Sequence, residues 1–424
     1  MDVVLVSSSP GQILGWVRPV AERAFSAPGV LDVWVLLTPG QFSTGHEVEV
    51  ASTFPGVRRV VRPLEFLFYL AVNKRPQGFA PSAKGVVVHL GGDMAYSVLL
   101  SRRLRYPLVS YSTGAASWVR AVSKFLAEDE RVQTRLIARG VPADRVRAIG
   151  NLTIDAVAPT LSREDARKRL GIDESQEAVC LLPGSRPREV EVMGAFLCRV
   201  AELLSKVHRN VRFVLPLSPF TDLESLGQAL ASTRHRHKID GSNAVLEQGD
   251  GSIIARTAEG VEIVVETDLR YDAMLSCDMA ICPPGTVSGE LSFLGVPHVV
   301  VMPLNVPGAV PISGMLGFAT RVPLAGDIFK KYALDRIRAK ARYVAAPNVK
   351  AKRLIVPEVV GEIRPEDVVI PSVELLGDAA RRERIGRELR EVIGGPGAAD
   401  RLIHEIRVSM EGAHTQDEKE ASAG

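Results

Sequence analysis

Two stretches of this chain place a glycine turn and a charged residue directly behind an apolar run. Leu181 to Val190 reads L-L-P-G-S-R-P-R-E-V and follows Ala178, Val179 and Cys180. That order predicts a buried strand, a tight loop and a helix that continues to about Val207. The first N–H groups of such a helix lack intrahelical partners, and their partial positive charge favours an anion in front of them. Gly184 lets the backbone turn and come close, Ser185 continues the loop, and Arg186 adds a planar donor fork that can grip two phosphate oxygens. Pro187 suits the first helical turn, where a missing N–H costs nothing. The same residues also describe an ordinary strand-to-helix turn with a solvated arginine. Met279 to Leu294, M-A-I-C-P-P-G-T-V-S-G-E-L-S-F-L, repeats the pattern with Gly285 and Thr286 at the turn. Glu290 then stands where a carboxylate can accept hydrogen bonds from a ribose diol, or where it merely balances the helix dipole.

Other candidates fall nearer the N-terminus. Gly85 to Leu90 is an apolar strand ending in Gly91-Gly92-Asp93. Open α/β sheets bind ligands at the carboxyl ends of their strands, so Asp93 is a candidate general base, with a helix N-cap as the alternative. Gly11 lies in the loop after the first strand, Ser7-Ser8-Ser9-Pro10-Gly11-Gln12, and Trp118 and Arg120 share a later loop. Leu64 to Val72 is nearly continuous in apolar residues, including Phe66 and Phe68, and is flanked by Arg62, Lys74 and Arg75. It reads either as a core helix or as a surface that dips into an anionic membrane. His235 and His237 stand close together, but no cysteine or acidic cluster accompanies them and no D-x-D pair occurs, so no metal site is expected.

The elements that must carry these residues alternate between strand and helix. Strands are expected at Met1–Val6, Leu31–Leu37, Val57–Val61, Gly85–Leu90, Leu108–Tyr111, Val146–Ile149, Val211–Leu215 and Val299–Met302, with a β-hairpin over Ile253 to Val265. Helices are expected at Met94–Leu104, Asp129–Arg139, Arg163–Leu170, Val373–Ile393 and Ala398–Met410. Pro159-Thr160-Leu161-Ser162 reads as a linker. A chain of 424 residues exceeds one ordinary core and predicts two or more domains. The net charge of +3 and the absence of a long basic run argue against a nucleic-acid partner. Four cysteines without a C-x-x-C pair predict buried free thiols in a reducing compartment. The N-terminus has no secretory signal pattern, and no uncharged apolar run is long enough to span a bilayer, so a cytoplasmic location is expected. No G-x-G-x-x-G follows a strand, which argues against a nicotinamide dehydrogenase.

Together the motifs resemble the lipid A disaccharide synthases, glycosyltransferases of the GT-B class. The family's L-P-G-S-R-x-x-E-V run is similar to Leu182–Val190, and its S-G-T-x-x-x-E segment to Pro284-Gly285-Thr286 through Glu290. Its Y-V-x-x-P-N and following P-E resemble Tyr343–Asn348 and Pro357-Glu358, and its tryptophan-x-arginine loop resembles Trp118 and Arg120. The chain departs from the family at the N-terminal G-E-x-S-G-D loop, here Ser8 to Gln12, at the acceptor-side D-x-P-D-F motif, reduced to Gly91-Gly92-Asp93, and at Pro284, where the family has serine. The inserted hairpin is a further difference. Gly150-Asn151 to Asp155 also resembles stretches of nucleotide-sugar 2-epimerases and Kdo transferases.

The resemblance implies an α/β fold of two Rossmann-like domains with a cleft between them and a small β-hairpin insertion in the second. It implies an acceptor-side domain over 1–158, a nucleotide-sugar-binding domain over 159–372, closing helices over 373–410 and a disordered tail over 411–424. The activity implied is inverting transfer of an acylated glucosamine-type sugar from a UDP-sugar to a lipid-linked or sugar acceptor, without cofactor or metal. Peripheral contact with the inner face of the plasma membrane goes with it. Gly184, Ser185, Arg186, Gly285, Thr286, Glu290 and Asn348 would hold the donor and Asp93 would act as base. Gly11, Phe66, Phe68, Trp118 and Arg120 would lie on the acceptor or membrane side. A UDP-sugar 2-epimerase on the same fold and a non-catalytic sugar-nucleotide binder are the alternatives.

Overall fold

The computed structural model describes residues 1–30, 32–39, 44–249, 251–306 and 342–408. Leu31, most of the Asn305–Gly317 loop, the end of the last helix and the expected tail over 411–424 lie outside the described residues. The chain divides into one unit made of Met1–Ala156 and Gly395–Gly424 and a second made of Val157–Gly394.

The first unit is built on seven strands, β1 (Asp2–Ser7), β2 (Val33–Leu37), β3 (Val57–Val61), β4 (Gly85–His89), β5 (Leu108–Ser112), β6 (Lys124–Ala127) and β7 (Val146–Ala148). They run parallel in the order β3-β2-β1-β4-β5-β6-β7. Runs such as Val3–Val6 and Val33–Leu37 are buried on both faces, as a parallel sheet covered by helices requires. The order reverses direction between β1 and β4, so the loops after these two strands flank the crevice at the topological switch point.

Helix Pro63–Val72 covers this sheet with only part of its surface. Phe66 is fully buried and meets Tyr96 at 6.1 Å between ring centroids, and Tyr69 packs edge-on against Phe79 at 5.8 Å. Burying Phe66 is worth about 1.5–3 kcal/mol, so it is a core residue and not a membrane contact. Leu64, Phe68 and Val72 point the other way and are 69%, 59% and 65% exposed. Their spacing of four residues puts them on one stripe.

The end of the chain returns to this same unit. Asp155 accepts hydrogen bonds from the backbone N–H of Gly397 at 2.7 Å and of Ala399 at 2.6 Å, which fixes the start of the helical residues 398–408. Arg401 donates from Nε to the carbonyl of Ile149 at 2.6 Å, and Leu402 and Ile406 are buried. The segment expected as a helix over Val373–Ile393 is two helices, Pro365–Leu376 and Ala379–Ile393. The break falls at Gly377-Asp378, where the Asp378 carboxylate caps the second helix through the N–H of Arg381 at 2.8 Å.

The second unit contains β8 (Glu177–Leu181), β9 (Val211–Pro216), β10 (Ala244–Gly249), β11 (Ser252–Thr257), β12 (Glu262–Glu266), β13 (Met279–Cys282), β14 (His298–Pro303) and β15 (Glu358–Gly361). Their order is β10-β11-β12-β9-β8-β13-β14-β15. The expected hairpin is β11–β12, and it carries β10 as a third antiparallel strand at the sheet edge. Arg256 ties the three together, bonding Glu247 at 2.9 Å and Glu262 at 3.0 Å. The order reverses at β8 and β13, the strands behind the two glycine turns. All four cysteines are free thiols and buried.

Candidate functional site

In the second unit the two glycine turns sit side by side at the carboxyl edge of the sheet, because β8 and β13 pair directly. Gly184 takes φ +102°, a conformation that L side chains rarely adopt, and leads through Ser185 to Arg186 at the cap position of helix Pro187–Val207. Gly285 takes φ +137° ahead of helix Thr286–Leu294, and both Gly285 and Thr286 are exposed. Two helix N-termini thus stand side by side on one sheet.

Glu290 lies just past the first turn of helix Thr286–Leu294 and is only 3% exposed. Its Oε2 accepts from Nη2 of Arg270 at 2.7 Å, an ion pair that sequence reasoning missed. Arg270 opens the helix Arg270–Ser276 beyond the carboxyl end of β12, and its Nη1 is buried with no hydrogen-bond partner among the described residues. Burial works against the charge on Arg270, but the neighbouring groups, led by the Glu290 carboxylate and Tyr271, together outweigh it and hold the guanidinium pKa above its usual value. The only sequence signal for this residue was a cation just past the end of a strand. Asn348 is placed differently from the expectation. Its amide donates to Val356 O at 2.8 Å and Glu358 Oε1 at 2.9 Å, and its carbonyl accepts from the N–H of Ile355 at 2.7 Å and of Val356 at 3.1 Å. Every polar atom of this fully buried side chain is engaged in shaping the turn before β15.

In the first unit the loops after β1 and β4 meet at the other switch point. Gly11 lies in the turn Pro10–Gln12, and the helix that follows widens to a π turn over Ile13–Val17. Gly91 takes φ +151°, a conformation that L side chains rarely adopt, and the Gln12 amide lies over it. Asp93 is exposed and its Oδ1 accepts from the N–H of Ala95 at 2.9 Å, so it caps helix Met94–Leu104. Its Oδ2 has no bonded partner among the described residues. His89, at the end of β4, bonds Ser97 at 2.8 Å, and burial lowers its pKa to about 4 against the pull of Asp93. Trp118 is half exposed at φ +53°, a strained backbone for a bulky residue. With Arg102 and Arg120 it lines an open pocket of about 380 Å³. Among the described residues no group of three His, Cys, Asp or Glu side chains could hold a metal ion.

The family Lipid-A-disaccharide synthetase matches residues 143–247, the segment that contains the P-G-S-R loop. A lipid-A-disaccharide synthase from Anaeromyxobacter sp. strain K is 27% identical over 375 residues, 84% of this chain and 82% of that protein. The chain is related to the lipid-A-disaccharide synthases. Another relative of that name, from Gloeothece citriformis, is 28% identical over 262 residues, 61% of this chain. That match spans 56% of the Gloeothece protein, little more than half its length. Among solved structures, a UDP-GlcNAc 2-epimerase from Neisseria meningitidis bound to UDP-GlcNAc superposes with a TM-score of 0.57 at 12% identity. The superposition covers 96% of this chain and 100% of that one, and it shows a shared α/β fold of two Rossmann-like domains. This lipid-A-disaccharide-synthase-related chain carries the P-G-S-R and G-T-x-x-x-E segments at one switch point.

Proposed function

We propose that the chain is a glycosyltransferase that moves an acylated glucosamine-type sugar from a UDP-sugar to a lipid-linked or sugar acceptor, with inversion at the anomeric carbon. The observation that carries this reading is the pairing of two helix N-termini, Arg186 and Glu290 around one crevice, in a chain related to the lipid-A-disaccharide synthases. Departure of the diphosphate builds negative charge, which the N–H groups behind Gly184 and Gly285 and the Arg186 guanidinium are placed to take up. The reading assigns that neutralisation to protein groups rather than to a bound cation, so turnover should persist in a chelator. Arg270 occupies Glu290 Oε2, which leaves Oε1 to accept from the ribose diol.

Asp93 supplies the base. One oxygen anchors it to Ala95, and the other is free to take the acceptor proton as the hydroxyl attacks. The Leu64, Phe68 and Val72 stripe, with exposed Arg62, Lys74 and Arg75 beside it, would meet the inner face of an anionic membrane and admit a lipid acceptor. Among the described residues no helix is long and apolar enough to cross a membrane. Mass spectrometry of UDP-sugars incubated with a lipid extract should show a glycosylated lipid. Asp93→Asn should lower its yield by ~10²-fold while UDP binding stays intact. Conversion of UDP-N-acetylglucosamine to its 2-epimer with no acceptor present would replace this reading by the epimerase. UDP binding with neither product would leave a non-catalytic binder.

A further inference from the structure

The two helix N-termini beside β8 and β13 differ in one respect. Helix Thr286–Leu294 has no acidic residue in its first turn, so the space before it holds no charge from its own chain end. Helix Pro187–Val207 carries Glu189 there, and Glu189 is buried. Its Oε2 accepts from the N–H of Ser185 at 3.4 Å and stands 3.6 Å from Nη1 of Arg186. The carboxylate also lies against Gly184, where a Cβ would come within 2.5 Å of it. A carboxylate of the chain itself therefore occupies the point on which the loop N–H, the guanidinium and the open face of the glycine converge. Burial raises the Glu189 pKa even though Arg186 and the loop N–H groups favour the charge, so the group sits in its seat incompletely compensated.

We propose that Glu189 is a resident anion of the β8 loop, which a donor phosphoryl group must displace, and that it thereby sets how tightly this loop takes a diphosphate. The inference rests on the reading of the loop as the donor site. A phosphate oxygen bonded to the Ser185 N–H and to Arg186 would fall on the Glu189 carboxylate, and two anions cannot share that seat. Rotation of the side chain away from Gly184 clears it.

Calorimetric titration of the full chain with inorganic pyrophosphate, UDP and uridine, for the wild type, Glu189→Gln and Glu189→Met, tests this. Both variants should bind pyrophosphate and UDP roughly tenfold more tightly, the equivalent of about 1.4 kcal/mol, with uridine affinity unmoved. A side chain that merely shaped the loop would not split the ligands in this way. The methionine variant fits the helix and the volume without any polar atom, so it keeps the test open if the glutamine variant folds poorly. If wild type binds UDP and both variants bind pyrophosphate no more tightly, Glu189 is scaffold, and the inference fails while the donor site stands. If neither UDP nor pyrophosphate binds any of the three proteins, the donor reading fails and takes the inference with it.

Discussion

The ion pair between Arg270 and Glu290 should behave as one unit in both stability and binding. Glu290 is 3% exposed, the Arg270 side chain 16%, and their contact is 2.7 Å. Removing one member of so buried a pair leaves the other charge without its partner, which costs about 3–5 kcal/mol, whereas replacing both by apolar groups is often close to neutral. Arg270→Met should therefore destabilise the second unit by about 3 kcal/mol, and Glu290→Met should do the same through the stranded guanidinium. The double variant should lose less than the sum by about 2 kcal/mol or more, well outside the roughly 0.5 kcal/mol scatter of independent sites. Urea denaturation followed by a probe in the second unit reads the three values. Binding adds a second dimension, because Glu290→Gln should weaken UDP by about 1.5–3 kcal/mol while leaving inorganic pyrophosphate unchanged. Additive stability losses would refute the coupling, and equal losses for UDP and pyrophosphate would remove Glu290 from the ribose.

Two further outcomes follow from buried groups. His298 in β14 donates from Nδ1 to the carbonyl of Val296 at 3.0 Å, so its Nε2 is left to accept from Ser288 Oγ at 2.9 Å, and burial lowers its pKa to about 4. The unfolded chain takes up a proton below pH 6.5 and the folded one does not until about pH 4. Stability from this group is therefore complete above pH 6.5 and declines toward pH 4, by at most about 3 kcal/mol. Thermal unfolding of His298→Gln should be less steep in pH across that window than the wild type, and an identical slope would refute the assignment. Phe66→Ser should lower stability by about 3 kcal/mol or more, whereas Phe68→Ser should leave unfolding unchanged and reduce pelleting with anionic liposomes at low salt. Pelleting that is indifferent to Phe68 would sink the membrane reading of this stripe.

The sheets were legible because parallel strands buried on both faces read as unbroken apolar runs, and both switch-point turns were legible because glycine and proline punctuate them. Leu64–Val72 was not, since an almost wholly apolar run carries no period by which Phe66 could be told from Phe68. Arg270 and Glu290 are twenty residues apart and joined only by the pairing of the sheet, so their contact has no local signature. Asn348 was a candidate ligand only because the resemblance implies it, and its four hydrogen bonds show that it is fully committed to a turn. Asp93 offered the same ambiguity, and the structure adds a cap without removing the free oxygen. The strands β6, β10 and β15 escaped notice, β10 because Ala244–Gly249 is mostly exposed at an edge, and β6 and β15 because each is only four residues long.

The clasp of Asp155 on residues 397 and 399 has a consequence for how the chain is made. The sheet of the first unit is spelled out by residue 148, yet the helix that Asp155 seats on it is translated only after the whole of the second unit. The ion pair of Lys124 with Glu405 bridges 281 positions of sequence, so closing it carries the entropy of a very long loop. On the ribosome the second unit can finish folding while the first still presents the bare apolar surface that Leu402 and Ile406 will cover. The first unit, whose sheet is translated before the second unit, is therefore completed after it, and its uncovered surface is where a chaperone would act.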